Sequence, residues 1–275
     1  MYATALIVFR EVLEAALVVS IVLAASKGVA GRGRWVSLGI LLGVFGACVL
    51  ASFAGTIASA LAGRGQELMN AGILLTAVAM LGWHNIWMSR HGKKLAAEVK
   101  AVGHDVASGN KPLYLLMTVV LVAVLREGSE TVLFTYGIYA SGAGGGPMLA
   151  GGAAGVALGG LTGTALYLGL LRIPLKYLFT VTGWMILLLA AGMAADAAGY
   201  LAQAGMLPSL ITSVWDTSMV LSEHSIVGQV MHILVGYTQR PSGIQLAFYL
   251  ATVATIGGLM LWINRRDSQA AAKAA

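Results

Sequence analysis

Phe9-Arg10-Glu11-Val12-Leu13-Glu14 and Leu125-Arg126-Glu127-Gly128-Ser129-Glu130 set one pattern, Arg-Glu-x-x-Glu, inside two long apolar stretches, with the two arginines 116 positions apart. Each stretch is long enough to cross a bilayer, which takes about 20 mainly apolar residues. A carboxylate at the centre of a spanning helix costs about 2.5–3.5 kcal/mol on insertion scales. Four of them, in two copies of one pattern, mark the working part of the chain. The chemistry they offer is a cation site in a transporter.

Composition agrees with a membrane setting. Of 275 residues 58% are hydrophobic and 10% charged, and the mean hydropathy is +0.83. A soluble domain carries about 25% charged residues. The chain therefore reads as an all-α integral membrane protein with lipid around it. Its net charge of +6 is no nucleic-acid footprint, because the basic residues lie between the apolar stretches rather than along one face. The single cysteine, Cys48, lies mid-stretch, reads as a small packing residue and excludes an internal disulfide or a Cys-x-x-Cys site. The first apolar stretch is interrupted by Arg10, Glu11 and Glu14 with no basic segment before it, so it reads as a retained spanning helix rather than a signal peptide.

Seven spans are predicted, near 2–26, 35–62, 67–89, 112–140, 147–171, 174–197 and 244–263. With the N-terminus outside, the inner segments collect Lys27, Arg32, Arg34, Arg90, Lys93, Lys94, Lys100, Lys111, Arg172, Lys176, Arg265, Arg266 and Lys273, and the outer ones only Arg64 and Arg240. That asymmetry predicts an N-out, C-in topology in the cytoplasmic (inner) membrane, multi-pass. Glu67, Asp196, Asp216 and Glu223 then fall on the outer side, where an acidic mouth would concentrate cations. Glu67, Asp216 and Glu223 are the candidates for a way in.

The spans also pair. Span two carries Gly39, Gly43, Ala47, Ala51 and Gly55, and span five Gly151, Gly155, Gly159 and Gly163. A small residue every fourth position lines one helix face and lets another backbone come close. The expected architecture is a single transmembrane permease domain over 1–275. Repeat 1 covers about 1–90 and repeat 2 about 112–197, in a 3+3 inverted repeat. An exterior amphipathic segment over about 198–243 ends in a Pro241-Ser242-Gly243 turn and leads to an added last span over about 244–263.

Glu11 and Glu14 lie three apart, as do Glu127 and Glu130, so each pair shares a helix face, while Arg10 and Arg126 stand four before the second glutamate and can brace it. Antiparallel spans would bring all four carboxylates to one level near the midplane. Four carboxylates against two guanidiniums favour a multivalent cation, and oxygen donors suit a hard one. Mere helix-bracing salt bridges would leave the second glutamate of each pair uncompensated. Oxygen ligands do not name one metal, and manganese or lead are among the cations such a site leaves open. A membrane redox subunit is a further alternative, but haem needs paired histidines and only His84 falls in a span. His84 itself, between Trp83 and Trp87, reads as part of an interfacial anchor at the inner end of span three, and His91 and His104 as solvated.

The chain resembles the oxidase-dependent iron transporters, the high-affinity iron permeases of fungi and bacteria. The likeness rests on FREVLEAALVV, LREGSETVLF, the GRGQELMNAGILL to GWHNIW segment and GQVMHILVGYTQRPSGIQLAFY. The resemblance implies uptake of iron, as ferric ion delivered by an exterior oxidase or cupredoxin-type partner. It implies no catalysis by the chain and no cofactor beyond iron as the transported substrate. The two motifs would form the iron pathway, with Glu11, Glu14, Glu127 and Glu130 on the metal and Arg10 and Arg126 supporting them. Fungal relatives carry a Glu-x-x-Glu element in an exterior loop; here the exterior segment offers Asp216 and Glu223, seven apart, with His224 beside the latter.

Overall fold

A backbone surrounded by hydrocarbon must satisfy its own hydrogen bonds, and a helix does so within one segment. The computed structural model describes residues 1–61, 66–169, 175–223 and 225–263, and its regular elements are all helical among those residues. In chain order they are α1 (Tyr2–Ala25), α2 (Arg32–Leu61), α3 (Gln66–Ala107), α4 (Tyr114–Ala140), α5 (Gly145–Tyr167), α6 (Leu175–Gln203), α7 (Ile226–Val235) and α8 (Gly243–Thr252). A π-helical segment, Val253–Gly257, follows α8, and the helix resumes to residue 263. Arg64, Arg172, His224, Arg265, Arg266 and Lys273 lie outside the described residues.

Among the described residues, five helical stretches are long and apolar enough to cross a membrane: Arg32–Phe53, Gln66–Met88, Gly145–Tyr167, Thr180–Gln203 and Gly243–Ile263. The helices α1 and α4, of 24 and 27 residues, match them in length but each holds three charged residues close together. Helix α1 packs on α5, α2 on α4 and α3 on α6, while α1, α3 and α4 meet in the middle.

The small-residue ladders explain the first two pairings. A Cβ placed on Gly43 would sit 2.7 Å from Val124 Cβ, and one on Gly155 would sit 2.7 Å from Val8 Cβ. Further along the same faces, Gly39 lies under the carbonyl of Met117 and Gly151 under that of Met1, while Gly128 meets Ala47 and Gly159 meets Val12. Each ladder thus seats the charged helix of the other half. The missing side chains let the backbones approach closely, as the sequence predicts. Cys48 departs from its expected packing role and is exposed on α2.

Two apolar clusters enclose a polar layer. One contains Ile7 of α1, Leu74 and Leu81 of α3, Phe134 and Ile138 of α4, and Ile186 and Met193 of α6. The other contains Val22 of α1, Val36 of α2, Val99 and Val106 of α3, and Leu116, Val120 and Val124 of α4. Following the chain, α1 and α3 pass from the first cluster to the second, and α4 from the second to the first. These helices therefore run in opposite senses. Between the clusters lie buried Arg10, Glu11, Glu14, His84, Asn85 and Glu127.

One expectation changes. The charged segment after span three is helical, because α3 continues for 42 residues to Ala107. Its lysines, alanines and glutamate favour helix, and Val99 and Val106 bury against the ends of α1, α2 and α4. Within the segment expected as short amphipathic helices, α7 packs against α6 and α1. That helix is capped by Ser225, whose hydroxyl accepts from the Gly228 amide at 3.0 Å. It ends at left-handed Gly236 (φ +67), which touches Gly192 partway along α6. Pro241 and Ser242 precede α8, where Ser242 and Gln245 form a capping box that starts the helix.

The ladder contacts yield a direct test. Leucine at Gly155 should force α1 from α5 and lower thermal stability by about 1–3 kcal/mol, the usual cost of overpacking. Leucine at Gly160, which has nothing within 4 Å of its Cβ position, should melt like the parent. Thermal unfolding of the two detergent-solubilised variants checks this, and equal melting would show that the ladder is not a close contact.

Candidate metal centre

The polar layer draws on three helices. From α1 come Arg10, Glu11 and Glu14, each no more than 3% exposed. From α4 come Glu127, Glu130 and Arg126, and from α3 comes His84, which is 4% exposed. The spacing of each motif folds as the sequence predicts. Arg10 Nε stands 2.9 Å from Glu14 Oε1, and Arg126 Nε donates to Glu130 Oε1 at 3.2 Å with Glu127 Oε1 at 3.8 Å.

His84 joins the two motifs. Its Nδ1 lies against Glu130 Oε2, and its Nε2 is 3.5 Å from Glu14 Oε2. The carboxyl groups of Glu11 and Glu127 face each other at hydrogen-bonding range. Two like charges at that range repel unless a proton or a metal cation lies between them. One ligand atom each from Glu11, His84, Glu127 and Glu130 fall within 4.8 Å of one another.

Most of these polar atoms are left over after the described hydrogen bonds are counted. Beyond the contacts just given, no further partner among the described residues reaches the oxygens of Glu11 and Glu14, the ring nitrogens of His84, or the buried Oε2 of Glu127 and Glu130. Native interiors hold few such groups. Surplus acceptors converging on one point fit a cation, and their donor set is three carboxylates with one imidazole.

The two arginines are held differently. Arg10 is sealed at 3% exposure, whereas the Arg126 side chain is 30% exposed with its guanidinium carbon 4.4 Å from the centre of the Trp87 ring. Trp87 in turn stacks on His91, with ring centres 4.9 Å apart. Beside them lies a cavity of about 400 Å³, lined by Met80, Trp83, His84, Trp87, Arg126 and Glu130.

Surrounding contacts fix the α3 segment that carries His84. Asn85 donates to the Gly183 carbonyl of α6 at 3.0 Å and reaches the Met260 sulfur at 3.5 Å. Ile256, within the π-helical segment, occupies the space left by Gly82, where a Cβ would meet its Cδ1 at 2.8 Å. A π turn adds one residue to a helix turn and re-aims the side chains around it.

All six motif residues are brought together. The reading of His84 as an interfacial anchor is corrected, since the ring is buried between Glu14 and Glu130. The polar neighbours that hold it lie on other helices, so spacing along α3 could not show them. The residues considered for a way in are not brought to the centre. Glu67 is exposed in the first turn of α3. Asp216 is exposed and paired to Arg240 at 2.8 Å; hydrogen bonds from Arg240 and Ser218 hold its carboxyl below the usual carboxylate range. Glu223 Oε1 accepts from the Gln239 amide at 2.7 Å and so ties the exterior segment together.

Comparison with known proteins bears on this site. The profile of the iron permease FTR1 family matches residues 1–265. Proteins named "Ferrous iron permease EfeU" from Escherichia coli O157:H7 and Shigella sonnei (strain Ss046) are each 33% identical over 253 residues, covering 90% of this chain and 91% of theirs. One of the same name from Yersinia pestis is 32% identical over 254 residues, covering 90% of this chain and 89% of its own. No solved structure matches the chain.

Arg126 supplies the test at this level. A lysine cannot span two carboxylates and stack on an indole at once, and a cation–π contact alone contributes about 0.5–2 kcal/mol. Arg126→Lys should weaken metal binding about tenfold, and Trp87→Leu by a smaller factor in the same direction. Titration calorimetry on the purified variants checks both. Wild-type affinity in each would show that positive charge alone suffices at this position.

Proposed function

The chain belongs to the iron permease FTR1 family, and we propose that it carries iron inward across the cytoplasmic membrane through the site formed by its two Arg-Glu-x-x-Glu motifs. The convergence of ligand atoms from Glu11, Glu127, Glu130 and His84 within 4.8 Å of one another carries this reading. Glu14 adds a fourth carboxylate beside them, and Arg10 and Arg126 hold the pairs in place. Iron is the substrate, and the site asks nothing of the chain beyond binding and release.

The architecture proposed for this task is seven spans, counting α1 and α4 with the five apolar ones, arranged as an inverted 3+3 repeat plus one, N-out and C-in. The opposed run of α1 and α4 and the reciprocal seating of the ladders support the repeat. The basic inner segments support the orientation. The access route through Glu67, Asp216 and Glu223 is proposed on charge alone.

Two oxidation states have separate support. Ferric ion handed over by an exterior oxidase or cupredoxin-type partner is what the resemblance to oxidase-dependent transporters implies, and carboxylates suit it. The relatives' names say ferrous, and the imidazole among the carboxylates favours that ion. Uptake of radioactive iron kept reduced by ascorbate, against iron supplied as a ferric chelate, separates the two.

Substitution tests the site itself. Glu11→Gln and Glu127→Gln should each abolish iron uptake in cells or proteoliposomes at undiminished membrane levels, since each removes a ligand without adding bulk. Uptake at the parental rate in both would exclude the shared site. For the topology, a cysteine near 106 should react with an impermeant reagent only from the cytoplasmic side, and one near 210 only from outside. The opposite result at either position would remove the inverted repeat.

A further inference from the structure

We infer that His84 is itself a ligand of the transported cation, binding through the ring nitrogen that faces Glu130, while Glu14 orients the ring from its other side. This rests on the reading of the motifs as the iron site and adds to it a nitrogen donor from a helix that carries no motif.

Each ring nitrogen faces a carboxylate, and their roles follow from which carboxylate belongs to the convergent group. Nε2 lies 3.5 Å from Glu14 Oε2, and Glu14 is anchored by Arg10 at 2.9 Å through its other oxygen. A carboxylate holding one N–H of an imidazole fixes the tautomer and presents the lone pair of the other nitrogen, the common outer-shell device of metal-bound histidine. That other nitrogen, Nδ1, is the one beside Glu130. Donors about 2.0–2.2 Å from one ion, as they stand around zinc, are at most about 4.4 Å from each other. The 4.8 Å span of the Glu11, His84, Glu127 and Glu130 atoms is therefore one small adjustment from a single coordination sphere. Glu14 does not belong to that group.

The ring is also built to stay. It is 4% exposed, and its backbone is held by Asn85 on Gly183 and by Ile256 over Gly82.

A nitrogen donor changes which cations the site selects. Carboxylate and water alone suit magnesium, calcium and manganese, whereas imidazole suits iron, zinc, nickel and copper. Three carboxylates with one imidazole select a divalent first-row transition ion, ferrous iron among them, over the alkaline-earth ions abundant outside a cell.

The test uses the full-length purified protein, labelled with ¹⁵N-histidine and loaded with manganese(II) as a paramagnetic probe. Electron spin-echo spectra should show one ¹⁵N coupling to the metal. The coupling should vanish in His84→Gln and His84→Asn and persist in His91→Gln. In proteoliposomes His84→Gln should also cut the ratio of ferrous to magnesium uptake by about 10–100-fold, the usual effect of disturbing a metal site's ordered partners. A manganese-loaded wild type without histidine coupling, a wild type that takes up no manganese(II), or a coupling that survives in both His84 variants would overturn the inference. Glu11→Gln and Glu127→Gln distinguish the two levels. If they bind manganese as the parent does, the motif site fails; if they lose it while the parent shows no nitrogen coupling, only the role of His84 fails.

Discussion

Four carboxylates share one buried layer, and the rest of the structure is arranged around the cost of holding them there. Burying a charge costs several kcal/mol even after relaxation, and like charges a few ångströms apart add to it. Two guanidiniums and one imidazole offset part of that cost, and a bound cation offsets more. The apolar clusters on either side of the layer limit water access to it, so that interactions inside it act at low dielectric. The glycine faces serve the same end, since the motif helices are fixed only because their neighbours come close enough to leave them no room.

The two motifs are copies in sequence but not in surroundings. Arg10 is enclosed, with Glu14 as its partner. Arg126 is divided between Glu127 and Glu130, lies over Trp87, and borders the cavity. Exposure differs tenfold between the two arginine side chains, at 3% and 30%. The layer is therefore open toward the cavity at Arg126 and closed at Arg10. A sequence repeat fixes the types of donor in each half, and the third helix decides how they differ.

Much of this was legible beforehand because it depends on short spacings. Three- and four-residue intervals place Glu11 with Glu14 and Arg10 with Glu14 on any helix, and the four-residue ladders mark a close face wherever they occur. The family likeness added the metal. His84 was not legible, since a lone histidine between two tryptophans looks the same at a membrane interface as in a buried site. Its depth depends on where α3 ends, and the charges after residue 89 suggested an end that the helix does not have. Val99 and Val106, seven apart, were the available sign that it continues. The insertion of α7 and the π turn before Gly258 follow from tertiary contacts and left no pattern in the chain.

The reciprocal seating of the ladders has a consequence for how the molecule is made. Gly43 of the first half lies on Val124 of the second, and Gly155 of the second lies on Val8 of the first. The small-residue ladder of each half lies on the charged helix of the other. A ribosome that has finished α3 has released a segment whose acidic face and whose groove both await partners not yet synthesised. The faces of α1 that α4 and α5 cover are therefore left open until those helices are made. By the same logic, two chains cut between α3 and α4 carry all the information needed to find each other, because each presents the surface the other lacks.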